Sequence, residues 1–334
     1  MIKYFDLYVH RLPKLLKYPS AEYYIVLLLP SQMEQKIWIN GSLVNKSDAK
    51  VPILTQSLQY GTGIFEGIRS YESEGNSFVF RLYDHMVRFT ESAKIYRINL
   101  GFTAKDLSQA VIDTIKENGL KSCYVRPFAF FSDETVSLAT DSLHVSVAIA
   151  TVDLGKYFGS NAHKGLNCMT SSWRRINSNI LPVHAKASGN YLNSCLASTE
   201  AKLAGYDESL MLSGEGYISE GPGENIFMVK NGVIVTPGME ASILKGITRD
   251  SVITLAKDLG YTVIERQIHR DEIYSADEAF LCGTAAEITH VRSLDRVVIG
   301  DGNAGIVTQD LRDNFEKALS GKSERYKQWL TPVY

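Results

Sequence analysis

Strand-like and helix-like segments alternate along this chain without a constant spacing, and that irregularity constrains its fold most. Ile37-Trp38-Ile39 and Leu43-Val44 flank Asn40-Gly41, a pair that tolerates positive φ at both turn positions and so closes a tight hairpin. Asn231-Gly232 marks a second hairpin turn. Ile64–Tyr71 (IFEGIRSY) reads as a strand with Phe65, Gly67 and Arg69 on one face. Phe78–Arg81, Cys123–Phe130, Val145–Ala150, Ser209–Leu212, Tyr217–Ser219 and Asn225–Val229 read as further strands. A helix is predicted from a cap at Asp84, with Met86, Phe89 and Ala93 as its apolar stripe and Arg88 off that stripe. Others are predicted from the cap Thr103 to Asn118-Gly119, from about Tyr191 to Leu203 with a stop at Gly205, and from Ile247 to Leu259 with a stop at Gly260. No regular βαβ period, internal repeat or low-complexity tract is present. The expectation is an α+β chain in two halves and not a doubly wound sheet. Residues 153–164, with Gly155, Gly159 and Asn161, read as an interdomain linker between a small α/β domain at 36–152 and a large domain at 165–334.

Residues 1–35 do not share this patterning. A basic stretch (His10, Arg11, Lys14, Lys17) precedes a short apolar run, Tyr23–Leu29. A membrane span needs roughly 20 apolar residues, so the run is too short. It lacks a small-residue cleavage site, and Asp6 and Glu22 count against a mitochondrial presequence. Met33 stands immediately before the first patterned segment, so residues 1–32 are expected to lie outside the fold and to derive from an upstream start codon.

The 334 residues are 45% hydrophobic and 22% charged, enough chain for two domains. A formal net charge of -2 leaves no electrostatic footprint for nucleic acid. Any anionic ligand must be held by locally placed groups. Cys123, Cys168, Cys195 and Cys282 are far apart, form no C-x-x-C pair and suggest no metal site. Their apolar or small neighbours suggest buried, reduced thiols and a cytoplasmic setting.

Four short segments bear on chemistry. Lys186 sits among small residues in His184-Ala185-Lys186-Ala187-Ser188-Gly189. Its ordinary reading is a surface lysine; yet small neighbours leave room for a bulky group beside the amine, as a Schiff-base lysine requires. Glu220 ends an apolar strand before Gly221-Pro222-Gly223. A partly buried carboxylate needs a partner, either an arginine or a protonated pyridine nitrogen. Lys245-Gly246-Ile247-Thr248 opens a helix whose N-terminal amides either hold a phosphate or are simply capped by Thr248. Cys282-Gly283-Thr284-Ala285-Ala286 is a small-residue turn whose amides can face an anion.

In combination these segments resemble the branched-chain-amino-acid aminotransferases, in the class IV group of pyridoxal-phosphate enzymes. The matching stretches are YGTGIFEGIR (60–69), DHMVRF (84–89), YVRP (124–127), SSWRR (171–175), AKASGNY (185–191), GYISEGPGENIF (216–227), LKGITRD (244–250) and CGTAAEIT (282–289). They stand in the family's order over nearly the whole chain beyond residue 35. The resemblance implies a two-domain fold type IV architecture, like that of D-amino-acid aminotransferase, with pyridoxal 5'-phosphate at the domain interface. Lys186 would hold the cofactor as a Schiff base and carry the substrate's proton. Glu220 would keep the pyridine nitrogen protonated, Tyr191 would bond the phenolic oxygen, and Leu244 would pack on the ring. Arg88, the amides of Ile247 and Thr248, and Thr284 would hold the phosphate.

For the substrate, the resemblance implies that Tyr124 and the amides of Thr284 and Ala285 bind the α-carboxylate. Arg126, Tyr157 and Tyr60 would take glutamate's distal carboxylate, and Phe65, Tyr191 and Tyr60 would line an apolar side-chain pocket. Tyr60 would come from a neighbouring subunit, which implies a homodimer or larger assembly. The implied reaction moves an amino group between leucine, isoleucine or valine and 2-oxoglutarate, by a ping-pong route. Neither nucleic acid nor membrane is an expected partner. Two departures concern specificity. The segment at 151–158 keeps Tyr157 but lacks the tryptophan usual in bacterial members, and the loop SDETVSLATD (132–141) is shorter and more polar than usual. The alternatives are a D-amino-acid aminotransferase, an aminodeoxychorismate lyase of the same fold, or a non-catalytic cofactor-binding homologue. Glu66-Gly67-Ile68-Arg69 and Tyr124-Val125-Arg126-Pro127 favour the branched-chain type, and Lys186, Glu220, Arg88 and Thr284 together oppose the last alternative.

Overall fold

The structure, a computed structural model, describes residues 34–153, 155, 158 and 164–334. Of the predicted extension at 1–35, residues 1–33 lie outside the described residues, as do most of the predicted linker and Tyr157. The rest builds two eight-stranded sheets with helices packed on them, in keeping with the expected α+β class.

The first sheet is antiparallel throughout. Its strands lie in the order Leu330–Pro332, Asn76–Phe80, Ile68–Ser73, Cys123–Phe131, Val145–Val152, Lys36–Ile39 and Ser42–Asn45, with Ile64–Phe65 on Cys123–Phe131. Asn40 (φ 48) and Gly41 (φ 97) close the first hairpin with the positive φ values that this turn requires. The last strand of the chain returns to this sheet from the far side of the sequence. Ile68, Val125, Val147 and Ile149 are buried against the helices Leu82–Ile95 and Ala104–Glu117. The second of these helices has the predicted start: Thr103 accepts from Asp106 N, and the Asp106 side chain returns to Thr103 N.

The second sheet is mixed. Val263–Glu265, Val233–Thr236, Asn225–Lys230, Glu278–Gly283, Glu287–Leu294, Leu166–Thr170 and Glu208–Leu210 follow in order, with Val297–Val298 on the edge of Glu287–Leu294. Three of its pairings are parallel and the others antiparallel. One face packs on the helices Ile247–Asp258 and Ile306–Leu319 around the stacked rings of Phe227 and Phe280. The other face carries Ile226, Met228 and Leu281, packed with Ile273 of the helix Arg270–Tyr274. Phe80 of the first sheet meets Phe315 and Trp329 edge-on, so the two halves share apolar packing.

Four local expectations are corrected. The stretch 64–71 is not one strand: regular pairing stops after Phe65 and resumes at Ile68, and Glu66 between them is fully buried with its carboxylate on Arg88 and His85. A side chain at Gly67 is also excluded, since a Cβ there would sit 2.0 Å from the Tyr124 hydroxyl. The helix expected to be capped by Asp84 begins at Leu82, behind Arg81 in a left-handed conformation (φ 49); Asp84 lies in its first turn and pairs with Arg81. Residues 217–219 form no strand, only a bridge between Leu212 and Ile218. Cys195 is exposed, unlike the other three cysteines. The buried stripe of the helix Tyr191–Leu203 is Ser194, Ala197 and Ala201, and Cys195 lies one position off it.

Candidate active site

Lys186 is held in place by its backbone. Its N–H donates to Ser92 Oγ at 3.1 Å, its carbonyl accepts from Phe65 N at 2.9 Å, and Ser188 N donates to the carbonyl of Gly63 at 2.8 Å. The segment is thus an extra bridge on the edge of Ile64–Phe65, pinned under the helix Leu82–Ile95. The side chain lines a cavity, where Nζ lies 2.6 Å from the Tyr191 hydroxyl and above the Phe65 and Tyr191 rings.

The same cavity is lined by Arg88, Tyr191, Glu220, Leu244, Ile247, Thr248 and Thr284, so the structure brings the expected cofactor residues together with Lys186. On one wall stands the start of the helix Ile247–Asp258. Its cap is Gly246, not Thr248, and Gly246 offers no capping side chain. A glycine is required there because a Cβ would lie 2.0 Å from Asn225 Oδ1. The first helical bond is made by Asp250 N to the carbonyl of Gly246, so the amides ahead of it stay free for an anion.

Glu220 lines the same cavity. Its Oε2 accepts from Asn225 Nδ2 and Leu244 N, each at 3.0 Å, and its Oε1 lies 2.8 Å from Arg175 Nε. The arginine left open as an alternative partner is therefore present. The N–H of Arg175 is not aimed at that oxygen, however, and both Nε and Nη1 of this buried residue lack a hydrogen-bond partner. We read the contact as an ion pair without an aligned hydrogen bond. Burial raises the Glu220 pKa against the lowering effect of Arg175 and the Leu244 amide, the signature of a carboxylate short of cationic compensation. Nearby Glu224 has its pKa raised by burial and then by the charge of Glu208. Arg88, Arg175 and Lys186 line the cavity with Glu220 and Glu224, and Arg88 is paired behind it with the buried Glu66. A free helix start, orphaned arginine N–H groups and an undercompensated carboxylate fit a phosphorylated, protonated heteroaromatic group.

Of the expected substrate residues, Phe65 meets Tyr191 edge-on with ring centroids 4.6 Å apart, and Arg126 lies over the Phe65 ring at 4.6 Å while donating to the Tyr124 hydroxyl at 2.9 Å. None of Phe65, Tyr124 and Arg126 lines the cavity itself; the Phe65 ring, beneath Lys186 Nζ, connects them to it. Thr284 lines the cavity; the adjoining Ala285 carbonyl faces Arg69 at 3.5 Å. Tyr60 does not line it. It ends the helix Gln56–Tyr60, is exposed, and donates to the carbonyl of Val136 on the 132–141 loop. Gln56 N and Gln59 Nε2 tie that loop down further, at Asp133 and Thr135.

Several contributors escape sequence reading. Arg175 and Asn225 support Glu220, Glu66 and His85 support Arg88, and Arg69 ties the 283–287 turn to Gly155 through Glu287 at 3.1 Å and Gly155 O at 3.2 Å. The usable signal is a carboxylate in an apolar run, Ile64-Phe65-Glu66-Gly67-Ile68.

Residues 63–294 match the model of a family described as amino-transferase class IV. The branched-chain-amino-acid aminotransferase of Salmonella typhimurium is 45% identical over 299 residues, covering 89% of this chain and 97% of the relative. Among solved structures, the branched-chain aminotransferase of Thermoproteus uzoniensis with norvaline is 47% identical at a TM-score of 0.87, covering 90% of this chain and 99% of that one. The branched-chain amino acid aminotransferase of Thermobaculum terrenum, in its holo form with pyridoxal phosphate, is 37% identical at a TM-score of 0.85, with the same coverage. The chain therefore belongs to the class IV aminotransferases and, within them, to the branched-chain-amino-acid aminotransferases, which share its two-domain fold type IV architecture.

Proposed function

We propose that this enzyme transfers the amino group of leucine, isoleucine or valine to 2-oxoglutarate, with pyridoxal 5'-phosphate held by Lys186. The observation that carries the reading is Lys186 Nζ, 2.6 Å from the Tyr191 hydroxyl, in a cavity that a free helix start and Glu220 also line. When bound, pyridoxal phosphate supplies an aldehyde that condenses with amines and a ring that accepts electrons as the α-proton leaves. Lys186 Nζ is the base positioned to take that proton and return it. Tyr191 orients Nζ. Glu220, aligned by Asn225 and the Leu244 amide, holds a proton on the ring nitrogen. Arg88 and the amides of Ile247 and Thr248 hold the phosphate. Phe65 and the aliphatic part of Arg126 offer an apolar surface to a branched side chain, while the guanidinium, screened by Tyr124, accepts a carboxylate when glutamate occupies the same place.

The test is an assay of purified protein with pyridoxal phosphate, offering L-leucine, L-isoleucine, L-valine, L-glutamate and D-alanine with and without 2-oxoglutarate. We expect keto acid from the branched L-substrates only when the acceptor is present. Turnover of D-alanine alone, or pyruvate release from aminodeoxychorismate without acceptor, would replace this reading by the D-amino-acid or lyase activity.

We also infer that the active form is at least a dimer. Val51, Ile53, Leu54, Leu58, Val136 and Leu138 are exposed together beside a groove lined by Ile37, Ile39, Phe128 and Phe130. Apolar patches of this kind mark interfaces, and Tyr60 sits in the same region, available to a second copy. Leu58→Glu is expected to shift sedimentation from dimer to monomer and to remove activity. A monomeric, fully active wild type would overturn the inference.

A division at 153–164 into domains at 36–152 and 165–334 suits the two sheets, with the C-terminal strand as a strap between them. The four free cysteines suit a reducing, cytoplasmic location. Among the described residues no helix is long and apolar enough to cross a membrane.

A further inference from the structure

Arg88 does not stand alone in its wall. Its Nε and Nη2 donate to the two oxygens of Glu66, at 2.7 and 2.8 Å, and its Nη1 donates to the carbonyl of Lys245 at 3.0 Å. His85 Nδ1 lies 2.8 Å from the same Glu66 oxygen that Nη2 engages. That oxygen also accepts from Gly67 N at 3.2 Å, and the Glu66 backbone amide is tied to the carbonyl of Pro127. Glu66 and His85 are buried, away from any solvent able to share their charge. Burial acts to raise the Glu66 pKa, but the Arg88 charge and His85 outweigh it and hold the carboxyl well below the usual range, so it stays charged. A guanidinium has five N–H groups in a rigid fork. Three are used within the protein, and two are left on the residue that lines the cavity beside Ile247 and Thr248.

We propose that Glu66, braced by His85, is a positioning residue for the cofactor phosphate: it fixes Arg88 so that the two uncommitted N–H groups meet the anion at the start of the helix Ile247–Asp258. This rests on the pyridoxal-phosphate reading above. A free arginine would have to give up rotamer freedom on binding, whereas a clamped one has already done so.

Charge alone predicts the opposite sign. Neutralising Glu66 leaves Arg88 without its counter-charge, which by Coulomb attraction would tighten phosphate binding. The full-length chain, Glu66→Gln, Arg88→Gln and the double variant are to be stripped of cofactor and titrated with pyridoxal 5'-phosphate and with pyridoxal, following the absorbance of the lysine-bound chromophore. Inorganic phosphate serves as competitor. Glu66→Gln is expected to weaken pyridoxal phosphate by about tenfold or more and to weaken phosphate competition, while pyridoxal changes by less than about twofold. In the Arg88→Gln background the same change is expected to have little further effect. Equal loss for both compounds, no loss, or tighter phosphate binding overturns the proposal. If Glu66→Gln yields no folded apoenzyme, Glu66→Asp is read by the same criteria, because it keeps the charge and moves it away from Arg88. A wild-type chain that takes up neither compound overturns the cofactor reading and this proposal with it.

Discussion

Lys186→Ala is expected to lower kcat for transamination by on the order of 10⁴-fold or more, since it removes both the covalent anchor and the proton carrier. The protein should still fold. The bonds that pin this segment run through the backbone of residue 186, to Ser92 Oγ and Phe65 N, and alanine keeps them. Arg88 and the free helix start at Ile247 remain, so weak, non-covalent uptake of pyridoxal phosphate should persist. The branched-chain assay measures the first effect, and cofactor retention on gel filtration the second. Transamination near the wild-type rate would refute the assignment of Lys186. Loss of folded protein would instead mean that the Nζ contact with Tyr191 is structural.

Glu220→Gln is the second large effect. Glutamine occupies nearly the same volume and can still accept from Asn225 or Leu244, but it cannot hold a proton on a pyridine nitrogen as a carboxylate does. We expect kcat to fall by about 10² to 10³-fold, the range of a missing electrostatic group at a reacting centre. The change also leaves Arg175 buried beside a neutral amide. Breaking a buried ion pair from one side typically costs about 3–5 kcal/mol. We expect less, because the Arg175 N–H is not aligned on Glu220 and part of its desolvation is already uncompensated. Thermal melting of the apoenzyme separates the two effects: a lower melting point and a much lower kcat are expected together. A kcat within about twofold of wild type would show that Arg175, and not a cofactor nitrogen, is the partner for which Glu220 is buried.

How far these residues can be read without coordinates differs from case to case. Lys186 among small residues, the Lys245-Gly246-Ile247-Thr248 helix start and the Cys282–Ala286 turn are local signals, and each lies on the cavity or beside it. Thr103 with Asp106 and Asn40-Gly41 are equally local, because a cap or a tight turn is satisfied within four residues. Resemblance to a family added roles for residues such as Arg126 and Tyr124, which no local pattern singles out. Arg81 and Asp84 illustrate the limit. Asp84 has the composition of a cap, but the helix begins earlier because Arg81 is anchored from outside, by Trp329 O and by Asp250. Cys195 fails for a different reason: small, apolar neighbours do not say which face of a helix finds a sheet.

Beyond what resemblance to a family implied for Lys186 and Glu220, the amino-acid sequence by itself determined the α+β class and most helix ends and hairpins. These depend on periodicity, turn chemistry and residue type, which act over a few positions. Only the tertiary structure decided the partnerships: Glu220 with Arg175 and Asn225, Glu66 with Arg88 and His85, Arg69 with Glu287, and the last strand with the first sheet. The members of most of these pairs lie far apart in the chain. Burial decides them, because a charge withdrawn from water must find a counter-charge wherever packing places one, and no short stretch of sequence records where that is.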